Sequence, residues 1–290
     1  MALLPVEDFI VRDRELIGVV ASDISDLIPD CCGVTLGGSR CHGLEDEHSD
    51  VEMYFYTHKG APSVENITDC LTKLNATHKR CDSFLWDNKK PWGPHSFFVI
   101  DGLYFEIGYR NIDEIRQRVI DYINGNVEPQ HDCHDLGLGY MPSGLASSVV
   151  HEKKIIKCSD ELEELRNIAR MFPEHLLDCL KREYFDTAES LINGKLISAA
   201  NRNDAFFYEV MSERITRCLM VMAFALGKEH FPGDKWNEQL LLRTDWEKAR
   251  EFLRFLKEHI MFKANSSEEY LEKSAILRKS YDIVRNGLGK

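Results

Sequence analysis

The stretch that most constrains the fold is Gly37-Gly38-Ser39-Arg40, followed ten residues later by Ser49-Asp50-Val51-Glu52-Met53-Tyr54-Phe55-Tyr56. It reads as a strand, a glycine turn, a short helix or loop, and a second strand that opens with two carboxylates. Side chains alternate along a strand, so Asp50 and Glu52 share one face while Val51 and Met53 share the other. Two carboxylates about 6–7 Å apart on one face repel unless something positive lies between them. A hard divalent cation with oxygen ligands, such as magnesium, meets that need. The glycines just upstream let backbone N–H groups approach a phosphate closely, and a following helix start favours an anion. Phosphate cradle and metal site would then lie side by side.

Composition bounds the rest. The 290 residues suffice for two ordinary domains with substantial cores. A hydrophobic share of 43% and a charged share of 29% fit a globular protein in water. No apolar run approaches the ~20 residues needed to span a bilayer. Met1-Ala2-Leu3-Leu4-Pro5 lacks the basic and long apolar regions of a signal peptide. The expectation is a cytoplasmic protein with no membrane partner. Nine cysteines without framework spacing point to reduced thiols. A net charge of −12 disfavours a nucleic-acid partner, which requires a basic footprint, and is compatible with a cationic small substrate.

Taken in order, Pro5 to Ile28 reads as a helix with Phe9, Ile10, Leu16, Ile17, Val20, Ile24, Leu27 and Ile28 on one face. Cys31 to Leu36 is a short buried strand leading into the glycine turn. Glu45-Asp46-Glu47 is a solvated connection. Val51 to Thr57 is the acid-bearing strand, and Val64 to Ala76 a helix. Arg80 to Trp86 is ambiguous, and Asp87 to Pro94 is turn-rich. Ser96 to Ile100 and Leu103 to Tyr109 are strands joined at Asp101-Gly102, a hairpin turn signal. Asn111 caps a helix to Ile123, with Glu114 completing a capping box. His131-Asp132-Cys133-His134 lacks a second ligand pair for structural zinc and is expected to hold none. Leu136 to Ser148 is rich in Gly and Ser, and a domain boundary is expected near 140–158. From Ser159 the pattern is helical. Pro173 opens a helix to about Ile192. The strongest stripe runs from Asn203 to Leu226, and Asp245 to Met261 and Ser267 to Leu288 complete the set.

The Gly38-Ser39 turn, the ten-residue spacer and the Asp50-x-Glu52 strand resemble the nucleotidyltransferase superfamily typified by DNA polymerase beta. The resemblance covers residues 31–110. It implies an α+β chain. Residues 1–150 would form the nucleotidyltransferase domain, a small mixed β-sheet flanked by helices. Residues 151–290 would form an all-α helical bundle that closes the cleft. That architecture is similar to the small-molecule branch, which includes aminoglycoside and lincosamide nucleotidyltransferases.

What the resemblance implies for the site is specific. A third acid on a later strand would join Asp50 and Glu52 in holding one or two magnesium ions. Glu106 is the first candidate, because a carboxylate inside an apolar strand is expensive unless it has a task. Asp101 is its rival, although Asp before Gly is usually turn chemistry. Gly38 and Ser39 would bind phosphate oxygens of an NTP, with ATP as the expected donor. Arg40 either adds charge to that cradle or faces solvent. Lys235, beside Gly233 and Trp236, is the first choice for the β- and γ-phosphates, followed by Arg202 and Lys195. The acceptor hydroxyl needs a general base, for which Glu106 stands ahead of Glu183 and Glu209. The implied reaction is transfer of AMP to a hydroxyl of a small molecule such as an aminoglycoside antibiotic, with release of pyrophosphate. The alternatives are nucleotidylation of a macromolecule, either protein or tRNA, and a non-catalytic nucleotide-binding protein.

Overall fold

The computed structural model describes residues 11–81, 93–130, 140–233 and 235–289, with the side chains of all of these except 11, 12 and 157. Two compact units divide the chain: Met1–Asp121 with Gln130–Met171, and Tyr122–Pro129 with Phe172–Lys290.

The first unit is built on one six-stranded mixed sheet. Its strands are β1 (Cys31–Leu36), β2 (Val51–Thr57), β3 (Thr77–Arg80), β4 (His95–Ile100), β5 (Leu103–Asn111) and β6 (Lys153–Cys158), in the spatial order β3-β4-β5-β2-β1-β6. β2 and β5 run parallel; the other neighbours are antiparallel. The helices of this unit include α1 (Val11–Ser25), α2 (Gly38–Cys41), α3 (Val64–Lys73), α4 (Ile112–Ile123), α5 (Pro142–His151) and α6 (Asp160–Ala169).

Alternation along the central strands makes the two sheet faces chemically different. Val34, Leu36, Val51, Met53, Phe55, Phe105, Ile107 and Tyr109 point to one face. There they are buried against Ile17, Val20 and Ile24 of α1 and Ile67 and Leu71 of α3. Each such large apolar side chain contributes about 1.5–3 kcal/mol on burial. The opposite face of β2 and β5 carries Glu52, Tyr54 and Tyr56 beside Glu106, Gly108 and Arg110.

Turn chemistry fixes the registers. Asp101 (φ 51°) and Gly102 (φ 81°) form a tight turn with both residues in the left-handed region, joining β4 to β5. Asn111 Oδ1 accepts from the N–H groups of Asp113 and Glu114 at 3.0 and 3.1 Å, capping α4 as its sequence implies. Ser159 caps α6 in the same way through Leu162 N–H at 3.3 Å.

Two elements appear where the sequence suggested a linker. α5 is rich in small residues, and Ser143, Ala146 and Ser147 are buried: the composition that reads as flexible here permits close packing. β6 then pairs with β1 and continues the sheet beyond residue 150. β3 falls between the helix expected to Ala76 and the ambiguous stretch that begins at Arg80, and its four residues are all exposed.

The second unit is helical. Its helices are α7 (Glu174–Leu180), α8 (Asp186–Asn193), α9 (Lys195–Asn201), α10 (Ala205–Leu226), α11 (Asn237–Leu241), α12 (Ala249–Met261) and α13 (Ser267–Gly287). A single π-helical turn, Lys181–Phe185, joins α7 to α8, so the one helix expected from Pro173 to about Ile192 carries a bulge. The bulge buries Tyr184, whose hydroxyl donates to the Val127 carbonyl at 2.7 Å. Among the described residues no helix is long and apolar enough to cross a membrane.

Candidate active site

The parallel register of β2 and β5 sets Glu52 directly beside Glu106. Both lie near the N-terminal ends of their strands, and both are half-buried on the same sheet face. Asp50 immediately precedes β2, and its charge acts on the Tyr104 hydroxyl together with that of Glu106. The three acids singled out from the sequence are thus gathered at one end of the sheet.

The glycine turn is fitted against this edge. Gly37 N–H donates to the Glu52 carbonyl at 2.8 Å, tying the turn to β2. Gly38 has φ +58°, and a Cβ there would stand 2.4 Å from Glu52 Oε1. Glycine is favoured by the backbone, and a side chain there would have to push the Glu52 carboxylate aside. Gly38 and Ser39 open the first turn of α2, where backbone N–H groups have no intrahelical acceptor. An acceptor-rich anion such as a phosphate answers those donors.

Arg40 is buried rather than solvent-facing. Its guanidinium donates to the Asp50 carbonyl at 2.9 Å, the Ser49 carbonyl at 3.4 Å and Asp13 Oδ2 at 3.2 Å. Those bonds fix the approach to β2 and hence the position of Asp50. Lys235 and Arg202 are exposed residues of the helical unit, as is Lys195. Glu209 pairs with Lys273 at 2.6 Å within that same unit. Asp101 belongs to the β4–β5 turn, at the N-terminal end of β5. The His131–His134 segment lies outside the described residues.

Several residues that had no motif to announce them complete the site. Tyr54 donates its hydroxyl to Glu52 Oε2 at 2.9 Å. The Arg110 guanidinium lies over the Tyr54 ring, 3.5 Å from its centroid. Arg110 is itself buried against Glu152, whose carboxylate also accepts from Thr35 at 2.7 Å, Tyr56 at 2.8 Å and Ser148 at 2.6 Å. Burial works against the charge on Arg110, but Glu152, with Tyr56 and Tyr54, outweighs it, and the Arg110 pKa lies above its ordinary value. Burial raises the Tyr54 pKa, with the Glu52 charge adding to it, so Tyr54 remains a donor to the carboxylate.

His95 stands on the other side of Glu106, with Nε2 3.7 Å from Glu106 Oε1. Its Nδ1 is 2.9 Å from the Gly93 carbonyl, which can only accept. Nδ1 therefore carries the proton, and Nε2 presents a lone pair. Burial pushes the His95 pKa down to about 4, against the Gly93 hydrogen bond and with help from the Arg110 charge. The imidazole is neutral at pH 7.

The oxygen-only set of Asp50, Glu52 and Glu106 suits a hard cation such as magnesium by its donor chemistry. Gly38 keeps the space beside Glu52 Oε1 clear of any side chain. The acids are a looser set than a compact ligand cage. Among the described residues, the group whose ligand atoms lie mutually within 4.8 Å is Cys32, His58 and Glu161, elsewhere on the sheet.

No protein-family model matches the chain. No curated protein matches it either. Among solved structures, the chain is similar to a nucleotidyltransferase-like protein from Exiguobacterium sibiricum, at 10% identity, a TM-score of 0.46, and coverage of 93% of this chain and 75% of that one.

Proposed function

We propose that the chain is a metal-dependent nucleotidyltransferase that moves a nucleoside monophosphate from an NTP to a hydroxyl group and releases pyrophosphate. The observation that carries this reading is the in-register Glu52–Glu106 pair on parallel strands, with Gly38 of the glycine turn set against the Glu52 carboxylate. In this reading Asp50, Glu52 and Glu106 hold magnesium. When bound, the ion would neutralise the triphosphate and stabilise charge during in-line displacement at the α-phosphate.

The chain's own groups divide the remaining work. Gly38 and Ser39 orient the phosphates through backbone N–H groups and the Ser39 hydroxyl. Glu106 takes the proton of the acceptor hydroxyl as its oxygen bonds to the α-phosphorus and the pyrophosphate oxygen leaves. Neutral His95, beside Glu106, adds no positive charge that would weaken it as a base. Tyr54 holds the Glu52 carboxylate, with Arg110 lying over the Tyr54 ring. Lys235 and Arg202 are assigned to the β- and γ-phosphates.

ATP is the assigned donor, and the acceptor is a small hydroxyl-bearing compound of aminoglycoside type, with which the net charge of −12 is compatible. The test incubates the protein with magnesium and each α-labelled NTP, with an aminoglycoside panel and with cell protein and RNA as competing acceptors. Label on a small molecule, absent with Asp50→Asn, is the expected result. Label on protein or tRNA would replace the acceptor while leaving the reaction. Nucleotide binding without any transfer would overturn the enzymatic reading.

A further inference from the structure

We propose that Cys32, His58 and Glu161 form a zinc site at the end of the sheet opposite the acids. The Cys32 sulfur, a His58 ring nitrogen and a Glu161 carboxylate oxygen all lie within 4.8 Å of one another. His58 Nε2 is 3.0 Å from Glu161 Oε2. Ligand atoms in a tetrahedral zinc site stand roughly 3.3–3.7 Å apart, given bonds of about 2.0–2.3 Å. The set therefore needs only small side-chain adjustments to close on an ion. One thiolate, one imidazole and one carboxylate are a borderline-soft set that suits zinc and excludes magnesium or calcium.

The second observation is the scaffold that holds these ligands. His58 Nδ1 is 2.9 Å from Asp113 Oδ2. That leaves Nε2 for the metal and gives the other ring proton to a carboxylate, the arrangement that orients metal-binding histidines. The His58 backbone is clamped from two sides. Its N–H donates to Asp30 Oδ2 at 3.1 Å, and its carbonyl accepts from Asn111 Nδ2 at 2.7 Å. Cys32 lies at an irregularity of the β1–β2 register between Cys31 and Gly33, and a bulge of this kind re-aims a side chain. Its carbonyl accepts from Ser159 N–H at 2.8 Å, which ties the bulge to the start of α6, the helix that carries Glu161. The site thus draws on β1, the residue that follows β2 and the first turn of α6, with Asp113 of the first turn of α4 behind His58. Six residues along β2 separate Glu52 from His58, about 20 Å, so it is distinct from the acids of the proposed active site.

Two proton losses accompany binding: the Cys32 thiol becomes a thiolate, and Nε2 gives up any proton it shares with Glu161. The metal-free alternative is a protonated His58 bridging Asp113 and Glu161, with no affinity for zinc.

The experiment titrates chelator-stripped full-length protein with zinc against a chromophoric competitor, and with cobalt(II) followed by absorbance. The expected results are one zinc per chain and a thiolate-to-cobalt charge-transfer band, both lost in Cys32→Ala and retained in Cys133→Ala. Asp113→Asn should weaken binding about 10–100-fold while leaving the band. Glu161→Gln, at an exposed position, should weaken zinc binding and serves as the ligand test if Cys32→Ala does not fold. Absence of competitive zinc binding, a cobalt complex without a thiolate band, or unchanged affinity in Glu161→Gln and Asp113→Asn would each overturn the proposal. None of these readouts depends on nucleotidyl transfer.

Discussion

Gly38 is the residue at which the glycine turn meets the acids. Its left-handed backbone would strain any side chain, and a Cβ would have to push the Glu52 carboxylate aside. Gly38→Ala is expected to cost roughly 1–2 kcal/mol from left-handed strain, read from urea unfolding. It should also displace the Glu52 carboxylate and weaken magnesium-dependent ATP binding by about 10-fold or more, as loss of ligand support does. Wild-type ATP affinity in this variant would show that Glu52 does not depend on the turn. His95 gives a pH signature. Its folded pKa of about 4 lies below the unfolded value near 6.5, so both states are neutral above pH 6.5. As pH falls from 6.5 towards 4 the unfolded chain takes up a proton that the folded chain refuses, and stability declines by up to about 3 kcal/mol. His95→Gln should flatten that part of the stability profile. An unchanged slope between pH 6.5 and 4 would mean that His95 titrates normally in the fold.

At the scale of elements, the β2–β5 pair supports the acids through a buried charge pair, Arg110 with Glu152, that also holds β1 through Thr35 and α5 through Ser148. Glu152→Ala should destabilise the protein by about 3–5 kcal/mol, because it leaves the Arg110 charge buried and uncompensated. Thermal unfolding of Glu152→Ala beside the double variant Arg110→Met/Glu152→Leu checks this. The double variant should recover much of the loss, and equal loss in both would assign the effect to packing. The strands that carry the acids were readable in the sequence because their alternation and the Asp101-Gly102 turn are local signals. α5 and β6 were not. A run of small residues reads as a linker until a partner surface exists to bury it, and the pairing of β6 with β1 joins residues 33–36 to 153–158, a separation no local pattern reports. The same reason hid Glu152 and the Cys32–His58–Glu161 group. Tyr54 was visible only as a strand residue, and His95 fell just before the strand expected from Ser96, since the partners of both come from register rather than spacing.

At the scale of the molecule, a sheet unit carries the acids and a separate helical unit carries Lys235 and Arg202. Charge reversal at these two positions, Lys235→Glu and Arg202→Glu, should raise the KM for ATP with less change in kcat if their role is to bind the outer phosphates, as uniform-binding losses do. Steady-state kinetics decide it, and unchanged KM in both would remove them from the site. The central claim is that Asp50, Glu52 and Glu106 act together on a nucleotide, with Glu106 also accepting the proton. The most direct measurement is single-turnover transfer alongside equilibrium ATP binding for Glu106→Gln and Asp50→Asn. Glu106→Gln is expected to lose about 10²–10⁴ in rate while keeping much of the nucleotide affinity, and Asp50→Asn to lose both. Transfer at the wild-type rate by Glu106→Gln would contradict the assignment and leave Asp101 as the third acid.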